Sequence, residues 1–260
     1  MMSETGMRTP FLLSAPVLTG VVGAASARTI TIPFARFQGL ILRTVVFDLD
    51  GTLADTSADL IAAANACFRA LGHGDMLDQT DALTAFQGGR AMLRLGLQRL
   101  DLLNEAEVDR QYPHLLSAYA DAIDTHTRLY PGAAEAVERL RAEGYATAIC
   151  TNKPEALAET LMQRLGVRNL FGSLVGADTL PVRKPDPAPL NLALSRVGGR
   201  ADRAILIGDT DTDRLTGRNA GVPVALVTFG PEGHEVARMK PEALLDHFDD
   251  LSALVAQIIR

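Results

Sequence analysis

The sequence Thr44-Val45-Val46-Phe47-Asp48-Leu49-Asp50-Gly51-Thr52 decides the fold of this 260-residue chain. Its first four residues are β-branched or aromatic and stop at an acidic residue, which predicts a short buried strand. Similar apolar runs follow at residues 146–150, 173–175, 204–207 and 224–227, with amphipathic stretches between them. Strands that alternate with helices predict an α/β fold, a doubly wound parallel sheet with helices on both faces.

Two of the amphipathic stretches have clear helix boundaries. Pro131 precedes residues 133–143 and Pro154 precedes residues 155–165, and proline is common where a helix begins. A glycine follows each stretch directly, as is typical of a helix end. These boundaries predict helices that connect parallel strands, with right-handed crossovers.

Residues 58–129 interrupt the alternation of strands and helices. Their apolar residues recur at helical spacing, as at Leu93 and Leu97, and no convincing strand is present. This pattern predicts an inserted helical cap subdomain at 58–129, while residues 43–57 and 130–260 form the α/β core. We expect residues 1–42 to be a leader that is disordered, misassigned or cleaved.

The leader raises the question of where the protein resides. Residues 11–23 are largely apolar and follow Arg8, and Ala25-Ser26-Ala27 resembles the cleavage site of a signal peptide. Pro16 interrupts this run, which is also too short to span a bilayer. We expect a cytoplasmic protein; the alternative is export, if residues 1–27 act as a signal peptide.

Composition excludes several classes of partner. The formal net charge is −6 and no basic block is present, so we expect no nucleic-acid partner. No segment is long and apolar enough to predict a membrane span.

Cys67 and Cys150 lie outside any C-x-x-C pattern, so we expect buried thiols rather than a disulfide or a zinc site. The oligomeric state stays open between monomer and homodimer.

Acidic residues follow two of the predicted strands, and the carboxyl ends of parallel strands meet at one edge of a sheet. Asp48 and Asp50 are two positions apart and can face the same side, and Asp209 brings a third carboxylate. Clustered carboxylates repel one another unless a cation or a proton lies among them. Hard oxygen ligands predict Mg²⁺. A lone Asp-x-Asp is more often a turn or a helix cap, but that interpretation does not explain Asp209.

Hydroxyl, amide and ammonium groups also lie at predicted strand ends. Thr151, Asn152 and Lys153 follow the second strand, and Lys184 lies on a proline-stiffened loop after the third. A lysine can present one charge to a phosphoryl group, and a helix N-terminus beyond Pro154 favours anions. Taken alone, Lys184 would be a surface charge and Thr151 a helix cap.

Together these clusters resemble, in order, the four motifs of the haloacid dehalogenase superfamily. Residues 48–52 are similar to motif one, Thr151 to motif two and Lys184 to motif three. Gly208-Asp209-x-x-x-Asp213 is similar to motif four, and the helical insert is similar to the first cap type of this superfamily. Within the superfamily, the phosphoglycolate phosphatases are the most similar group. The stretches that carry this likeness are residues 129–132, 150–154, 183–187, 220–223 and 227–230.

The resemblance implies a Mg²⁺-dependent phosphatase acting on a small phosphorylated metabolite, most similar to the enzymes that convert 2-phosphoglycolate to glycolate and phosphate. Asp48 would be the nucleophile that forms an aspartyl-phosphate. Asp50 would be the general acid and then the general base, and must be protonated at first although a free Asp has a pKa of about 3.9.

The same resemblance assigns the remaining site residues. Mg²⁺ would be bound by the Asp48 carboxylate, the Asp50 carbonyl oxygen and Asp209, and Asp213 would orient this shell. The phosphate- and substrate-binding candidates are Thr151, Asn152, Lys184 and Arg90. Arg90 has a planar fork that matches a substrate carboxylate; the alternative is an arginine that faces solvent.

Three alternative functions stay open. The first is a sugar-phosphate mutase of the β-phosphoglucomutase type, which shares the aspartates and the cap type. The second is a phosphatase of the same superfamily that acts on another small sugar or nucleotide phosphate. The third is a non-catalytic regulator, which the intact set of motif residues disfavours. Asp50 argues against a dehalogenase, because displacing halide needs no acid there.

Overall fold

The computed structural model describes residues 42–259. The strands are β1 (Leu42–Phe47), β2 (Ala54–Asp55), β3 (Arg128–Leu129), β4 (Ala146–Cys150), β5 (Ser173–Val175), β6 (Gly199–Gly208), β7 (Val224–Val227) and β8 (Ala243–Leu245). The α-helices are α1 (Ser57–Ala70), α2 (Ala82–Phe86), α3 (Gly89–Arg99), α4 (Glu105–Asp121), α5 (Ala133–Ala142), α6 (Glu155–Arg164), α7 (Ala188–Arg196), α8 (Asp211–Ala220) and α9 (Leu251–Ile258). Short 3₁₀ helices lie at Gln79–Asp81, Arg168–Leu170, Gly233–Met239 and Phe248–Asp250.

The main sheet has the strand order β5-β4-β1-β6-β7-β8, and every neighbouring pair of strands is parallel. After β1, the chain builds β4 and β5 on one side of that strand. It then crosses back and builds β6, β7 and β8 on the other side. This reversal around β1 is the doubly wound arrangement, so the predicted fold class is confirmed.

Five strands of this sheet are predicted from the sequence, and β8 is not. The segment Ala243-Leu244-Leu245 has no β-branched or aromatic residue, and its composition favours a helix. It is a strand because its backbone pairs with β7, where Leu245 lies opposite Val227. Leu245 is fully buried in this position, so tertiary packing overrides the local preference.

The central strand β1 is buried on both faces of the sheet. Val45 and Phe47 point into one hydrophobic cluster, and Val46 points into the other. The Phe47 ring meets the ring of Phe171 edge to face, with 5.9 Å between centroids. Because helices cover both faces, the acidic residues that follow β1 emerge between packed layers rather than at an open surface.

Helices α1 to α4 lie between β2 and β3, in the stretch where the helical insert was predicted. β2 and β3 are antiparallel, with Ala54 opposite Leu129. The prediction that residues 58–129 contain no strand is therefore wrong at its C-terminal end, because a two-residue strand leaves no periodic pattern. The division into core and cap stays a prediction. The predicted leader, residues 1–42, lies outside the described residues except for Leu42, which belongs to β1.

Asp59 connects the first helix of the insert to the segment that leaves the insert. Its buried carboxylate accepts hydrogen bonds from the His126 N–H at 3.0 Å and from the Thr127 N–H at 2.8 Å. The Thr127 hydroxyl donates to the same carboxylate at 2.8 Å. The start of α1 and the return segment are therefore fixed to each other by a single side chain.

Two expectations from composition concern the thiols and the membrane. Cys67 and Cys150 are both buried and unpaired, as expected. Between residues 42 and 259, no helix has both the length and the apolar character needed to cross a bilayer.

Replacing Asp59 tests how strongly this carboxylate stabilises the fold. We expect Asp59→Ala to lower the free energy of unfolding by about 2 to 4 kcal/mol, because buried N–H groups lose a charged acceptor. Urea unfolding followed by circular dichroism measures the change. Glu138→Ala, at an exposed position on α5, is the matched control and should change stability by less than about 0.5 kcal/mol. Equal effects of the two substitutions would contradict the prediction.

Candidate active site

The carboxyl ends of β1, β4 and β6 lie side by side at one edge of the sheet. Phe47 is opposite Ile149 on β4 and Ile207 on β6, so the residues after them leave the sheet at one level. The Asp48 N–H donates to the Ile207 carbonyl at 2.9 Å and continues this alignment. Since β4 and β6 flank β1, this edge is the point where strand order reverses, and ligands bind there in open α/β sheets.

Gly51 makes the turn that follows β1. Its φ angle is +81°, a conformation that favours glycine. A Cβ atom at this position would lie 2.2 Å from Oδ2 of Asp209. The turn can therefore pass close to Asp209 only because residue 51 has no side chain.

Asp209 follows β6 and is fully buried. Its Oδ1 atom accepts a hydrogen bond from the Thr52 hydroxyl at 2.9 Å. Within residues 42–259, no donor reaches its Oδ2 atom, although that atom is buried. Burial raises the pKa of Asp209 well above its usual range, and the neighbouring charges of Asp213 and Asp48 raise it further. A buried carboxylate oxygen without a donor calls for a cation or a proton.

Asp48 is held by two groups. Its Oδ1 atom accepts a hydrogen bond from the Leu49 N–H at 2.7 Å, and its Oδ2 atom lies 3.0 Å from Nζ of Lys184. Burial raises the pKa of Asp48 from 3.8 to about 6, and the Lys184 ammonium opposes that rise. Asp48 is thus a carboxylate with a fixed orientation and a lysine at one oxygen.

Lys184 and Asp213 form a buried ion pair behind Asp48. The Lys184 Nζ atom is 2.6 Å from Oδ1 of Asp213. Oδ2 of Asp213 accepts hydrogen bonds from the Thr210 hydroxyl at 2.8 Å and the Thr210 N–H at 3.2 Å, which caps α8. Burial opposes the charge on Lys184, but Asp213 and Asp48 outweigh it and raise the lysine pKa. Both oxygens of Asp213 are therefore occupied by protein donors.

The carboxylates at this edge fit a small hard cation. Oxygen atoms of Asp48, Asp209 and Asp213 all lie within 4.8 Å of one another. The donor set is made of oxygen, and Asp209 has one oxygen without a protein donor. Asp48 and Asp209 are therefore the side chains that could hold the ion, and Asp213 is bound to Lys184 and the start of α8.

Asp50 has a different environment from Asp48. Its Oδ1 atom accepts hydrogen bonds from the Thr56 hydroxyl at 2.6 Å and from Nζ of Lys153 at 2.8 Å. Lys153 Nζ also lies 4.4 Å from the centroid of the Tyr119 ring on α4. Lys153 lies at a predicted strand end, but neither Lys153 nor Tyr119 is among the site residues predicted from the sequence. The signals available for Lys153 were its charge at a predicted strand end and its place in the stretch 150–154, which carries the family likeness.

Thr151 and Asn152 lie at the end of β4, close to the Lys184 loop. Thr151 is buried, and its N–H donates to the Val175 carbonyl at 3.0 Å. The Asn152 side-chain amide donates to the Lys184 carbonyl at 3.1 Å. Asn152 thus fixes the loop that carries Lys184, and its predicted contact with substrate stays a prediction.

Arg90 is engaged elsewhere in the structure. Its guanidinium pairs with Asp109 and lies 4.5 Å from the centroid of the Tyr112 ring. Both partners belong to α4, and among the described residues no hydrogen bond or ion pair joins Arg90 to the strand ends. The predicted role of Arg90 in substrate binding stays a prediction.

Comparison with known proteins shows the family to which this chain belongs. Residues 45–227 match the model of the haloacid dehalogenase-like hydrolases. The chain belongs to the haloacid dehalogenase-like hydrolase family. The family and the hydrolase class that the motifs predicted are therefore confirmed.

Relatives of this hydrolase carry a common name. The chain is 39% identical to the phosphoglycolate phosphatase of Mesorhizobium japonicum over 214 residues, which cover 82% of this chain and 94% of that protein. It is 35% identical to the phosphoglycolate phosphatase of Agrobacterium fabrum over 208 residues, or 80% of this chain and 89% of that protein. A crystal structure described as a predicted phosphoglycolate phosphatase from Haemophilus somnus matches with a TM-score of 0.73 and 25% identity. That match covers 82% of this chain and 97% of the other.

The close approach of Gly51 to Asp209 gives a test of the site. We expect Gly51→Ala to weaken Mg²⁺ binding by at least about 10-fold, because the new methyl group must displace the Asp209 carboxylate. Isothermal titration calorimetry with MgCl₂ measures the affinity. Gly144→Ala is the matched control, since Gly144 has a similar φ of +85° and open space where a Cβ would lie. Equal Mg²⁺ affinity in the two variants would contradict the assignment.

Proposed function

We propose that this hydrolase is a Mg²⁺-dependent phosphatase that cleaves a small phosphate monoester, 2-phosphoglycolate, through an aspartyl-phosphate on Asp48. The observation that carries the proposal is the different environment of two neighbouring carboxylates. Asp48 lies against Lys184, whereas Asp50 lies against Thr56 and Lys153. Two carboxylates that are oriented by separate partners can take separate roles, one as the nucleophile and one as the carrier of the proton.

The metal site would be formed by the Asp48 carboxylate, Asp209 and the carbonyl oxygen of Asp50. Asp213 keeps Lys184 and the start of α8 in place beside it. When bound, Mg²⁺ supplies positive charge that offsets the charge of the phosphoryl oxygens.

The first step is the transfer of the phosphoryl group to the protein. A carboxylate oxygen of Asp48 attacks phosphorus, and the bond from phosphorus to the ester oxygen breaks. Asp50, protonated at this stage, gives its proton to the departing alkoxide, so that glycolate leaves as an alcohol. Lys184 stabilises the charge that the phosphoryl oxygens carry, together with the Thr151 hydroxyl.

The second step returns the protein to its initial state. Water attacks the phosphorus atom of the aspartyl-phosphate, and the bond to Asp48 breaks. Asp50, now a carboxylate, takes a proton from that water and is again an acid. The products are inorganic phosphate and a free Asp48 carboxylate, and the proton balance closes over the two steps.

The choice of 2-phosphoglycolate rests on relatives rather than on contacts. Two relatives that match most of the chain are named phosphoglycolate phosphatases. Arg90, the predicted partner of the substrate carboxylate, is paired with Asp109 in the structure. We further propose that the helical segment 58–129 covers the site as a cap and that the enzyme acts in the cytoplasm.

A balance of products tests the proposed reaction against a mutase. With Mg²⁺ present, we expect one inorganic phosphate to be released for each 2-phosphoglycolate consumed, measured by a colorimetric phosphate assay. Addition of EDTA should abolish release, and excess Mg²⁺ should restore it. Consumption of substrate without net phosphate would favour a mutase, and full activity in EDTA would refute the metal requirement. A panel of small sugar and nucleotide phosphates, run in parallel, tests the choice of substrate.

The nucleophile has a direct test. We expect Asp48→Asn to lower kcat for 2-phosphoglycolate by at least about 1,000-fold, because an amide cannot replace the attacking carboxylate. Mass spectrometry of the acid-quenched wild type should show the added phosphoryl group, and the variant should lack it. Asp121→Asn, at an exposed position on α4, is the control and should keep normal turnover. Substantial turnover by Asp48→Asn would overturn the assignment.

A further inference from the structure

Lys153 is a buried lysine that the mechanism above does not use. It follows β4 by three positions, and its side chain is only 3% exposed. Its ammonium has two neighbours from different parts of the chain, Asp50 after β1 and the Tyr119 ring on α4. This places it between the strand edge and the helical insert.

Burying an ammonium group is costly, so its partners must offset the loss of hydration. Burial opposes the charge on Lys153, whereas Asp50 is the largest of the influences that raise the pKa of the lysine. The face of an aromatic ring also attracts a cation, and more strongly where water is excluded. The ammonium is therefore fixed at this point, unlike a surface lysine that samples many rotamers.

The two oxygens of Asp50 are used unequally. Both donors of Asp50, the Thr56 hydroxyl and the Lys153 ammonium, are bonded to Oδ1. No hydrogen bond from the described part of the chain reaches Oδ2. The two donors therefore fix the carboxyl group of Asp50 through Oδ1 and leave Oδ2 for a group outside the protein.

We infer that Lys153 is a positioning residue that fixes the orientation of the Asp50 carboxyl group with Oδ2 turned to the substrate, and that Tyr119 of the insert holds Lys153 in place. The inference rests on the proposed function, since it assigns a role to Asp50 in proton transfer. It also gives the helical insert a part in the chemistry. The acid is fully oriented only when α4 lies against the end of β4.

The rival role for Lys153 is direct binding of the phosphoryl group. The two roles differ in how they depend on the leaving group. An alkoxide such as that of 2-phosphoglycolate needs a proton as it departs, whereas p-nitrophenolate spreads its charge over the ring and leaves without one. A misplaced acid therefore harms the alkyl ester alone, and a lost phosphate ligand harms both esters.

The experiment compares kcat/KM for 2-phosphoglycolate and p-nitrophenyl phosphate in the wild type, Lys153→Met and Tyr119→Leu. This parameter reports the steps up to release of the alcohol or phenol. We expect both variants to lose about 10- to 100-fold with 2-phosphoglycolate but less than about 3-fold with p-nitrophenyl phosphate, within the range that acid catalysis contributes. Tyr119→Phe, which keeps the ring face, should behave as the wild type.

The ratio of the two kcat/KM values decides the outcome, because a partly unfolded sample lowers both values equally and leaves the ratio unchanged. An unchanged ratio in Lys153→Met would overturn the inference, and an unchanged ratio in Tyr119→Leu would remove Tyr119 from it. Failure of the proposed function gives a different result: the wild type would then release no phosphate from either ester.

Discussion

The architecture of this site depends on one electrostatic constraint, the crowding of carboxylates where β1 ends. Asp48, Asp209 and Asp213 bring oxygens within 4.8 Å of one another, and burial raises the pKa of both Asp48 and Asp209. Carboxylates in such a cluster stay ionised only beside positive charge. The chain supplies part of that charge as Lys184, and it leaves one buried oxygen of Asp209 without a protein donor. The doubly wound sheet creates this crowding, because it brings the carboxyl ends of β1, β4 and β6 together at one edge.

Each of the two buried lysines at the site pairs with a different aspartate of the segment that follows β1. Lys184 reaches Asp48 from the loop after β5, and Lys153 reaches Asp50 from the end of β4. Asp48 and Asp50 are two residues apart, so local sequence alone would make them equivalent. Their environments differ because the fold places a different lysine beside each of them, and the two lysines follow different strands.

The sequence predicted the sheet and the acidic edge because both follow from local residue types. β-branched runs predict buried strands, and aspartates at the ends of parallel strands predict a cation site at the edge where those ends meet. The contacts of Asp59 with Thr127 and of Lys153 with Tyr119 could not be predicted in this way. The partners of the first pair lie 68 residues apart, and only the folded chain brings the members of each pair together. β8 was missed for a related reason, because its three residues favour a helix until β7 pairs with them. For Arg90, the residue type predicted a carboxylate of the substrate as partner, whereas the structure pairs it with the carboxylate of Asp109.

The short ribbon of β2 and β3 has a consequence for how such enzymes diversify. Just outside this ribbon, the Tyr130 N–H donates to the Leu53 carbonyl at 3.0 Å, so the chain leaves the sheet region and returns to it at nearly the same point. An insert with adjacent ends can be lengthened, shortened or exchanged without shifting the register of β1 against its neighbours. The segment between β2 and β3 can therefore vary in length and composition while the acidic edge keeps its geometry. The contact of Lys153 with Tyr119 is an exception, because it connects this segment to the end of β4 and a change on one side then requires a matching change on the other.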